Sequence, residues 1–365
     1  MTLHFYFARR FTVAFGLITA VISAFVMLID MVEETRRFDR YDLSWGEIFQ
    51  LTLLSTPQTL NLILPLLIML TTLALFLSLA KSSELVVTRA VGRSAFKSLI
   101  APGSVAFLIG VLAVGVFNPI ASATGNRYVQ LSESHRADGV PALSISDEGL
   151  WLRQGTAEGQ TVIRALRANA DASTLYDVTF LSYDAQNGLN QRISAKSARL
   201  SGDVWRLSDV KIWPLETGIN AEAAARSIDR FDLPSTLTLE RIRERIGKAA
   251  AVSIYDMPRF IDQLEQSGLN ALQHRVWLHS EFARPFFLVA MVLIASAFTM
   301  RHTRLGGTGI AVLSAVLLGF SLYFVRSFTQ ILGENGELPV VLAAWAPPTV
   351  AILLALSLLL HAEDG

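Results

Sequence analysis

The chain has 365 residues, of which 52% are hydrophobic and only 17% are charged, whereas an ordinary soluble protein carries about 25% charged residues. The charge is also uneven, since 38 of the 62 charged residues lie between residues 125 and 281. This distribution excludes both a wholly soluble and a wholly membrane-embedded protein, and it predicts a membrane protein with one inserted water-soluble domain.

Six apolar stretches reach or approach the roughly 20 residues that a transmembrane helix needs. They form two groups of three, at residues 11–29, 48–80 and 98–124 and at residues 285–300, 305–325 and 338–360. For the first stretch a cleavable signal peptide is the alternative, but no small-residue cleavage site follows it before Asp30. The six stretches predict a membrane α-helical fold of three plus three transmembrane helices, with an amphipathic segment extending the short fourth stretch.

Basic residues in the short loops predict the orientation, because cytoplasmic loops carry an excess of Arg and Lys. Eight of them lie on the side of the two termini and four on the opposite side. We therefore expect both termini in the cytoplasm and the inserted domain outside it. The predicted domains are transmembrane helices 1–3 at residues 1–124, a β-domain with connecting helices at 125–270, and transmembrane helices 4–6 at 271–365.

Between residues 143 and 212 the hydrophobic pattern changes from helical to alternating, and glycine-containing turns separate short segments. Several short strands at such spacing predict an all-β, jelly-roll-like or sandwich domain. We interpret its aromatic residues as core, with an apolar groove for a lipid chain between two sheets as the alternative. These aromatic residues are Trp151, Tyr176, Phe180, Trp205 and Trp213.

The sequence contains no motif for catalysis or nucleotide binding. Walker A, GxSxG and HExxH patterns are absent, the six histidines are scattered, and there is no cysteine. The net charge of zero does not indicate nucleic-acid binding. We therefore expect no catalytic residue, metal site or cofactor, and any energy input must come from a gradient or another protein. The apolar stretches contain no ionisable residue, which argues against a gradient.

The loop after the second apolar stretch reads Lys81-Ser-Ser-Glu-Leu-Val-Val-Thr-Arg-Ala-Val-Gly-Arg-Ser-Ala-Phe-Lys97. Ser82 or Ser83 suits a helix N-cap, Glu84 suits the first turn, and Gly92 suits a helix end. A short helix at about residues 82–92 with exposed apolar side chains indicates a partner surface. A simple amphipathic connector explains the same pattern.

This loop resembles the coupling-helix segment of the lipopolysaccharide export permease family (the LptF/LptG type). The likeness extends to the three-plus-three helix layout, to Pro57, and to the segments Gly149-Leu-Trp-Leu, Trp205-Arg-Leu and Arg284-Pro285. It therefore covers nearly the whole chain. The Gly-Leu-Trp and Trp-Arg-Leu segments resemble the LptG subunit more than the LptF subunit.

The resemblance implies a non-catalytic permease subunit of an ATP-binding-cassette exporter in the inner membrane of Gram-negative bacteria. Such a subunit extracts lipopolysaccharide and passes it through a periplasmic β-domain toward the outer membrane. The implied partners are a homologous LptF-like permease, periplasmic bridge proteins, and a cytoplasmic ATPase dimer that binds the ATP and Mg.

The resemblance also implies roles for particular residues. Coupling to the ATPase falls to Ser83, Glu84, Leu85, Val86, Arg89 and Gly92. Lipid A phosphates are the candidate ligands of Arg36, Arg37 and Arg40, with interfacial anchoring as the alternative. Acidic residues occupy a stretch where relatives can carry a basic one, and their role stays open; they are Asp30, Glu33 and Glu34.

The fifth apolar stretch carries small residues every four positions, at Ala311, Ala315 and Gly319. Such a stripe allows close helix approach, either to the partner permease or within this chain's own bundle. Two rival functions use the same architecture, namely an integral-membrane lipid-modifying enzyme and an anchor or scaffold for the β-domain. Only the first outer loop offers the clustered acids that an enzyme needs, and six helices exceed what an anchor needs.

Overall fold

The computed structural model describes the chain except for residues 1, 40, 42, 85–87, 89–94, 136–142, 147–148, 157–158, 170–171, 185–187, 216–219, 240–241, 243–251, 267–268, 301–307 and 365. Two compact units are present. One comprises Met1–Val129 with Arg275–Gly365, and the other is Gln130–His274. We call them the membrane unit and the β unit.

Long helices dominate the chain on both sides of the insert. They are α1 (Thr2–Arg37), α2 (Trp45–Lys81), α3 (Ala95–Leu112), α4 (Asn118–His135), α6 (Leu272–Thr299), α7 (Thr308–Glu334) and α8 (Val340–Asp364), with the shorter α5 (Met257–Gln266) in the β unit. Helices α3 and α4 join through a π-helical turn at Ala113–Phe117 into one continuous span. In the part of the chain that the structure describes, six helices are thus long and apolar enough to cross a membrane, as the sequence predicts.

Local signals explain where these helices begin and where they deform. At the start of α2, Ser44 and Glu47 form a capping box in which the Ser44 backbone N–H donates to Glu47 Oε2 at 2.8 Å. The π-helical turn directly precedes Asn118 and Pro119. Because proline has no N–H and its ring displaces the carbonyl four residues earlier, an extra residue in the turn relieves the clash. The helix therefore continues past residue 124, where the apolar stretch stops.

The core of the membrane unit centres on α2 and α6, which contribute fully buried residues such as Ile68, Met69, Leu288 and Met291. Helices α1 and α7 instead expose apolar side chains along their lengths. A helix that is apolar on its exposed side is stable only against lipid or another protein. The packing therefore agrees with a membrane location.

The β unit contains one antiparallel sheet in which each strand pairs with its neighbours in sequence. The strands are β1 (Leu143–Ser146), β2 (Gly149–Thr156), β3 (Gly159–Ala168), β4 (Thr174–Asp184), β5 (Leu189–Ser201), β6 (Val204–Pro214) and β7 (Arg226–Pro234). Helix α5 contacts strand β1. The connections are mostly short, which favours pairing between consecutive strands.

One row of residues runs across this sheet where the strand geometry changes. The strand pairing is interrupted at Asp177, Lys196 and Asp209, and the pairs on either side align these three residues in one row across β4, β5 and β6. Asp177 and Asp209 have φ values of 53° and 56°, in the left-handed region. On β4 the buried side chains nearest the row are Leu175 before it and Val178 after it, so the inward-facing alternation shifts by one residue. We call this row the crease.

The sheet folds over at the crease. Phe180 and Trp205 lie on opposite sides of the row and seven positions apart along the strand direction, which in a flat sheet is roughly 23 Å. Their ring centroids are nevertheless only 6.1 Å apart, in an edge-to-face contact. The predicted inserted all-β domain is therefore confirmed, but its two layers come from one folded sheet and not from two separate sheets.

Candidate functional site

The segment after α2 begins with a change of backbone direction. Ser82 caps the C-terminus of α2, its N–H donating to the carbonyl of Ser78. The next N–H, that of Ser83, donates to the carbonyl of Ala80, and Ser83 has a φ of 60°. Beyond them, the Thr88 hydroxyl donates to the Glu84 carbonyl four residues earlier, the spacing of one helical turn. Ser82 thus ends one helix where the sequence favoured the start of another. The predicted coupling residues Leu85, Val86, Arg89 and Gly92 lie outside the described residues.

Glu84 is held by three donors, two of them at the N-terminal end of α1 and the third its neighbour Ser82. Its Oε2 accepts from the Tyr6 hydroxyl at 2.8 Å, while its Oε1 accepts from Arg10 at 3.0 Å and from the Ser82 hydroxyl at 2.8 Å. The Arg10 guanidinium also lies over the Tyr6 ring, 5.0 Å from its centroid. The Tyr6 hydrogen bond, with smaller contributions from Ser82 and Arg10, lowers the pKa of Glu84 below its ordinary value. Glu84 is therefore an ionised group fixed to α1.

At the C-terminal end of α1, the predicted lipid-contacting residue Arg37 is bound by several side chains. Arg37 binds Glu33 at 3.4 Å, Glu34 at 3.3 Å and the Tyr128 hydroxyl at 2.7 Å. Tyr128 in turn donates to Glu34 at 2.8 Å, so this cluster joins α1 to α4. Sequence reasoning missed Tyr128, which lies more than 90 residues from its partners and has no motif around it.

Arg36 is exposed and forms no ion pair within the described part of the chain, whereas Arg40 lies outside that part. The acidic residues of this stretch are partly accounted for, because Glu33 and Glu34 bind Arg37. Asp30 accepts a hydrogen bond from the Ser55 hydroxyl at 3.4 Å. Arg36 is thus the described member of the predicted triad that is available to an external anion.

A charged cluster lies inside the helix bundle, and it corrects the expectation that the spans hold no ionisable residue. Glu281 and Arg284 of α6 form a buried ion pair, and Arg284 also donates to Asn61 of α2. Arg326 of α7 lies over the Phe287 ring at 5.1 Å and interacts electrostatically with Glu281 and Arg284. The apolar stretch at 285–300 begins after these residues, but the helix begins at Leu272, so both charges lie within the span.

The small-residue stripe of α7 packs within this chain. Ala315 is fully buried, and a Cβ added at Gly319 would overlap the Met69 thioether of α2. Ala311, at the start of the stripe, is half-buried. A second close approach, which the sequence did not indicate, lies at Gly110 of α3, where an added Cβ would come within 2.6 Å of the Pro285 Cα. The stripe therefore contributes to the bundle's own core.

Groups of three or more His, Cys, Asp or Glu side chains arranged for a metal are absent among the residues that the structure describes. What these residues offer is an ionised Glu84 held at the N-terminal end of α1, an exposed Arg36 at the C-terminal end of α1, and a β unit with an apolar interior. None of these arrangements pairs a nucleophile with a base.

The comparisons with known proteins agree with this architecture. The family model described as lipopolysaccharide export system permease LptF/LptG matches residues 5–361. The lipopolysaccharide export system permease protein LptG of Escherichia coli (strain K12) is 22% identical over 348 residues, covering 93% of this chain and 92% of that protein. The LptG of Haemophilus influenzae (strain ATCC 51907 / DSM 11121 / KW20 / Rd) is 24% identical over 363 residues, or 96% of each chain. Because the family match spans nearly the whole chain, this protein belongs to the lipopolysaccharide export permease family LptF/LptG.

Proposed function

We propose that this chain is a non-catalytic permease subunit of an exporter that removes lipopolysaccharide from the inner membrane of a Gram-negative bacterium. Both termini lie in the cytoplasm and the β unit lies in the periplasm. A homologous permease completes the membrane part, and periplasmic bridge proteins receive the lipid. A separate ATPase dimer supplies the energy and binds the ATP and Mg.

The observation that carries this proposal is the extent of the family match, from residue 5 to residue 361. It includes the six spans and also the inserted β unit, so the likeness is not one of membrane helices alone. The similar proteins named LptG are covered over more than nine-tenths of their length. A shared arrangement of helices and insert supports a shared transport role.

Glu84 is the residue through which we expect ATPase motion to reach the membrane. Two of its three hydrogen bonds connect the cytoplasmic segment to α1, through Tyr6 and Arg10. A displacement of this segment by a partner therefore pulls on α1, or releases it if the bonds break. Glu84 thereby serves both as a docking group and as a mechanical link.

At the opposite end of α1 we assign lipid contact to Arg36 in preference to Arg37. An arginine can bind a phosphate through two parallel hydrogen bonds if its guanidinium is free. Arg37 is already bound by two carboxylates and a tyrosine hydroxyl, whereas the exposed Arg36 forms no ion pair within the described residues. Glu33 and Glu34 then act by holding Arg37 between α1 and α4.

Replacing Glu84 with alanine tests the coupling role. We expect the amount of ATPase that co-purifies with the detergent-extracted chain to fall about tenfold, which corresponds to roughly 1.4 kcal/mol of lost binding energy. Lipopolysaccharide-stimulated ATP hydrolysis should fall with it, because a docking carboxylate is lost. The measurement is quantitative co-purification followed by an ATPase assay.

Two control variants distinguish a loss of ATPase docking from a general folding defect and from a weakened link between Glu84 and α1. Glu337→Ala removes an exposed glutamate from the connection between α7 and α8 and should leave ATPase binding unchanged. Tyr6→Phe breaks one bond to Glu84 but keeps its carboxylate, so the ATPase should still bind while the link to α1 weakens. Normal ATPase binding and stimulation in Glu84→Ala would contradict the coupling role.

A further inference from the structure

A cleft opens between α1 and α2 in the membrane unit, beside the Tyr6–Glu84 hydrogen bond. Its cavity volume is about 430 Å³, within the range of roughly 300–1,000 Å³ that is usual for ligand pockets. Most of its wall is apolar and comes from Val13, Ala14 and Leu17 of α1 and from Ala74 and Leu75 of α2. Nothing in the proposed transport role uses this cleft.

Two cations stand at one end of the cleft, Arg9 and Arg10. Arg10 is already engaged by Glu84 at 3.0 Å. Arg9 is exposed and has no ion pair among the residues described, so its guanidinium is available to a ligand. The cleft therefore has one free positive charge at its mouth.

The apolar wall runs from this charge toward the middle of α1. From Arg9 to Leu17 the helix rises by roughly 12 Å, and Leu17 lies well inside the apolar stretch at 11–29. A free phosphate ion would satisfy Arg9 but would leave this wall unused. A molecule with an anionic head and a hydrocarbon chain satisfies both the charge and the wall.

We propose that the α1–α2 cleft binds an anionic phospholipid of the cytoplasmic leaflet, with its phosphate on Arg9 and an acyl chain along the apolar wall. The cytoplasmic leaflet is rich in anionic lipids, and each basic residue near its surface contributes about 1 kcal/mol of attraction. This assignment rests on the orientation in the proposed function, which places Arg9 at the cytoplasmic surface. The bound phosphate would also lie beside Arg10 and compete with Glu84 for its guanidinium.

Native mass spectrometry of the purified full-length chain tests this site, with phosphatidylglycerol and phosphatidylcholine offered in equal amounts. We expect wild-type protein to retain phosphatidylglycerol about fivefold more than phosphatidylcholine, as 1 kcal/mol of attraction requires. Arg9→Gln should remove that preference. Lys81→Gln, which removes an exposed cation outside the cleft on α2, should keep it. Ala14→Leu narrows the cleft and should lower the retention of both lipids.

The proposed site would be overturned if the phosphatidylglycerol preference survived Arg9→Gln, or if Lys81→Gln removed this preference to the same extent. Normal lipid retention in Ala14→Leu would overturn it as well. Co-purification of the ATPase is measured on the same Arg9→Gln sample. If the phosphatidylglycerol preference does not depend on Arg9 but the ATPase still co-purifies, only the proposed lipid site is wrong. If ATPase binding is absent even from the wild-type chain, the proposed function is wrong.

Discussion

Replacing Glu281 with leucine is expected to destabilise the membrane unit by about 3–5 kcal/mol, the usual cost of breaking a buried ion pair. The side chains of Glu281 and Arg284 are only 2% and 10% exposed. Without Glu281, the guanidinium groups of Arg284 and Arg326 would interact without a compensating charge. The midpoint of thermal unfolding in detergent, followed by light scattering, should fall clearly below that of the wild-type chain.

A second substitution shows whether charge or lost packing causes this effect. Adding Arg284→Met to Glu281→Leu removes the repulsion with Arg326, and hydrophobic replacement of a complete buried pair is often neutral. We therefore expect the double variant to recover part of the lost stability, because Arg326 remains in the bundle without the carboxylate of Glu281. Glu337→Leu, at an exposed position, serves as the control. A double variant that is less stable than Glu281→Leu would refute the electrostatic explanation.

Gly319→Leu is the second substitution with a large expected effect. The added Cβ alone would overlap the thioether of Met69, a fully buried residue, and Met291 lies close by. Overpacking of a well-filled core costs typically about 1–3 kcal/mol. We expect a lower thermal midpoint and less folded protein in the membrane, measured by size-exclusion chromatography of the detergent extract.

The matched control is Gly309→Leu in the first turn of the same helix, where an added Cβ meets no atom within 4 Å. This variant should behave like the wild type. Shortening the neighbour, as in Met69→Ala combined with Gly319→Leu, should restore part of the stability because the total volume is recovered. Equal damage from the two glycine variants would contradict contact with α2 as the cause, because leucine is a better helix former than glycine and helix propensity alone predicts no damage.

The six spans and the inserted β unit could be predicted because hydropathy and alternation are local properties of the sequence. The sequence also predicts that an amphipathic segment extends the fourth span, and the helix Leu272–Thr299 confirms it, although a count of apolar residues alone stops at Arg284. In the sequence, Arg284 limits the apolar stretch at residues 285–300 on its N-terminal side. In the structure, Arg284 pairs with Glu281, which lies three residues earlier on the same helix. A charge that is neutralised by a neighbour at this spacing does not end a buried helix.

The contacts that matter for function depend on residues far apart in the chain. Tyr6 and Glu84 are 78 residues apart, and Arg284 and Asn61 are 223 apart. No local pattern predicts which polar side chains meet over such distances. The resemblance could assign Glu84 to coupling, but only the structure reveals that α1 holds it.

The crease of the β unit could not be predicted from the sequence either. The sequence gives the strands and turns of this region, but one folded sheet and two packed sheets produce nearly the same alternation. The distinguishing feature is a shift of one residue at a single row, marked by the positive φ values of Asp177 and Asp209. The row is recognisable only after the pairing registers align Asp177, Lys196 and Asp209.

The central claim is that this chain passes lipopolysaccharide from the membrane to the β unit at the expense of ATP. A photo-crosslinking phenylalanine analogue at Phe180, on the inner face of the folded sheet, tests it in proteoliposomes that contain the complete exporter. Tyr176, exposed on the same strand, is the control position. We predict a lipopolysaccharide adduct at position 180 only when ATP is supplied, and none at position 176. An adduct at position 180 that forms equally without ATP, or none under either condition, would contradict the claim.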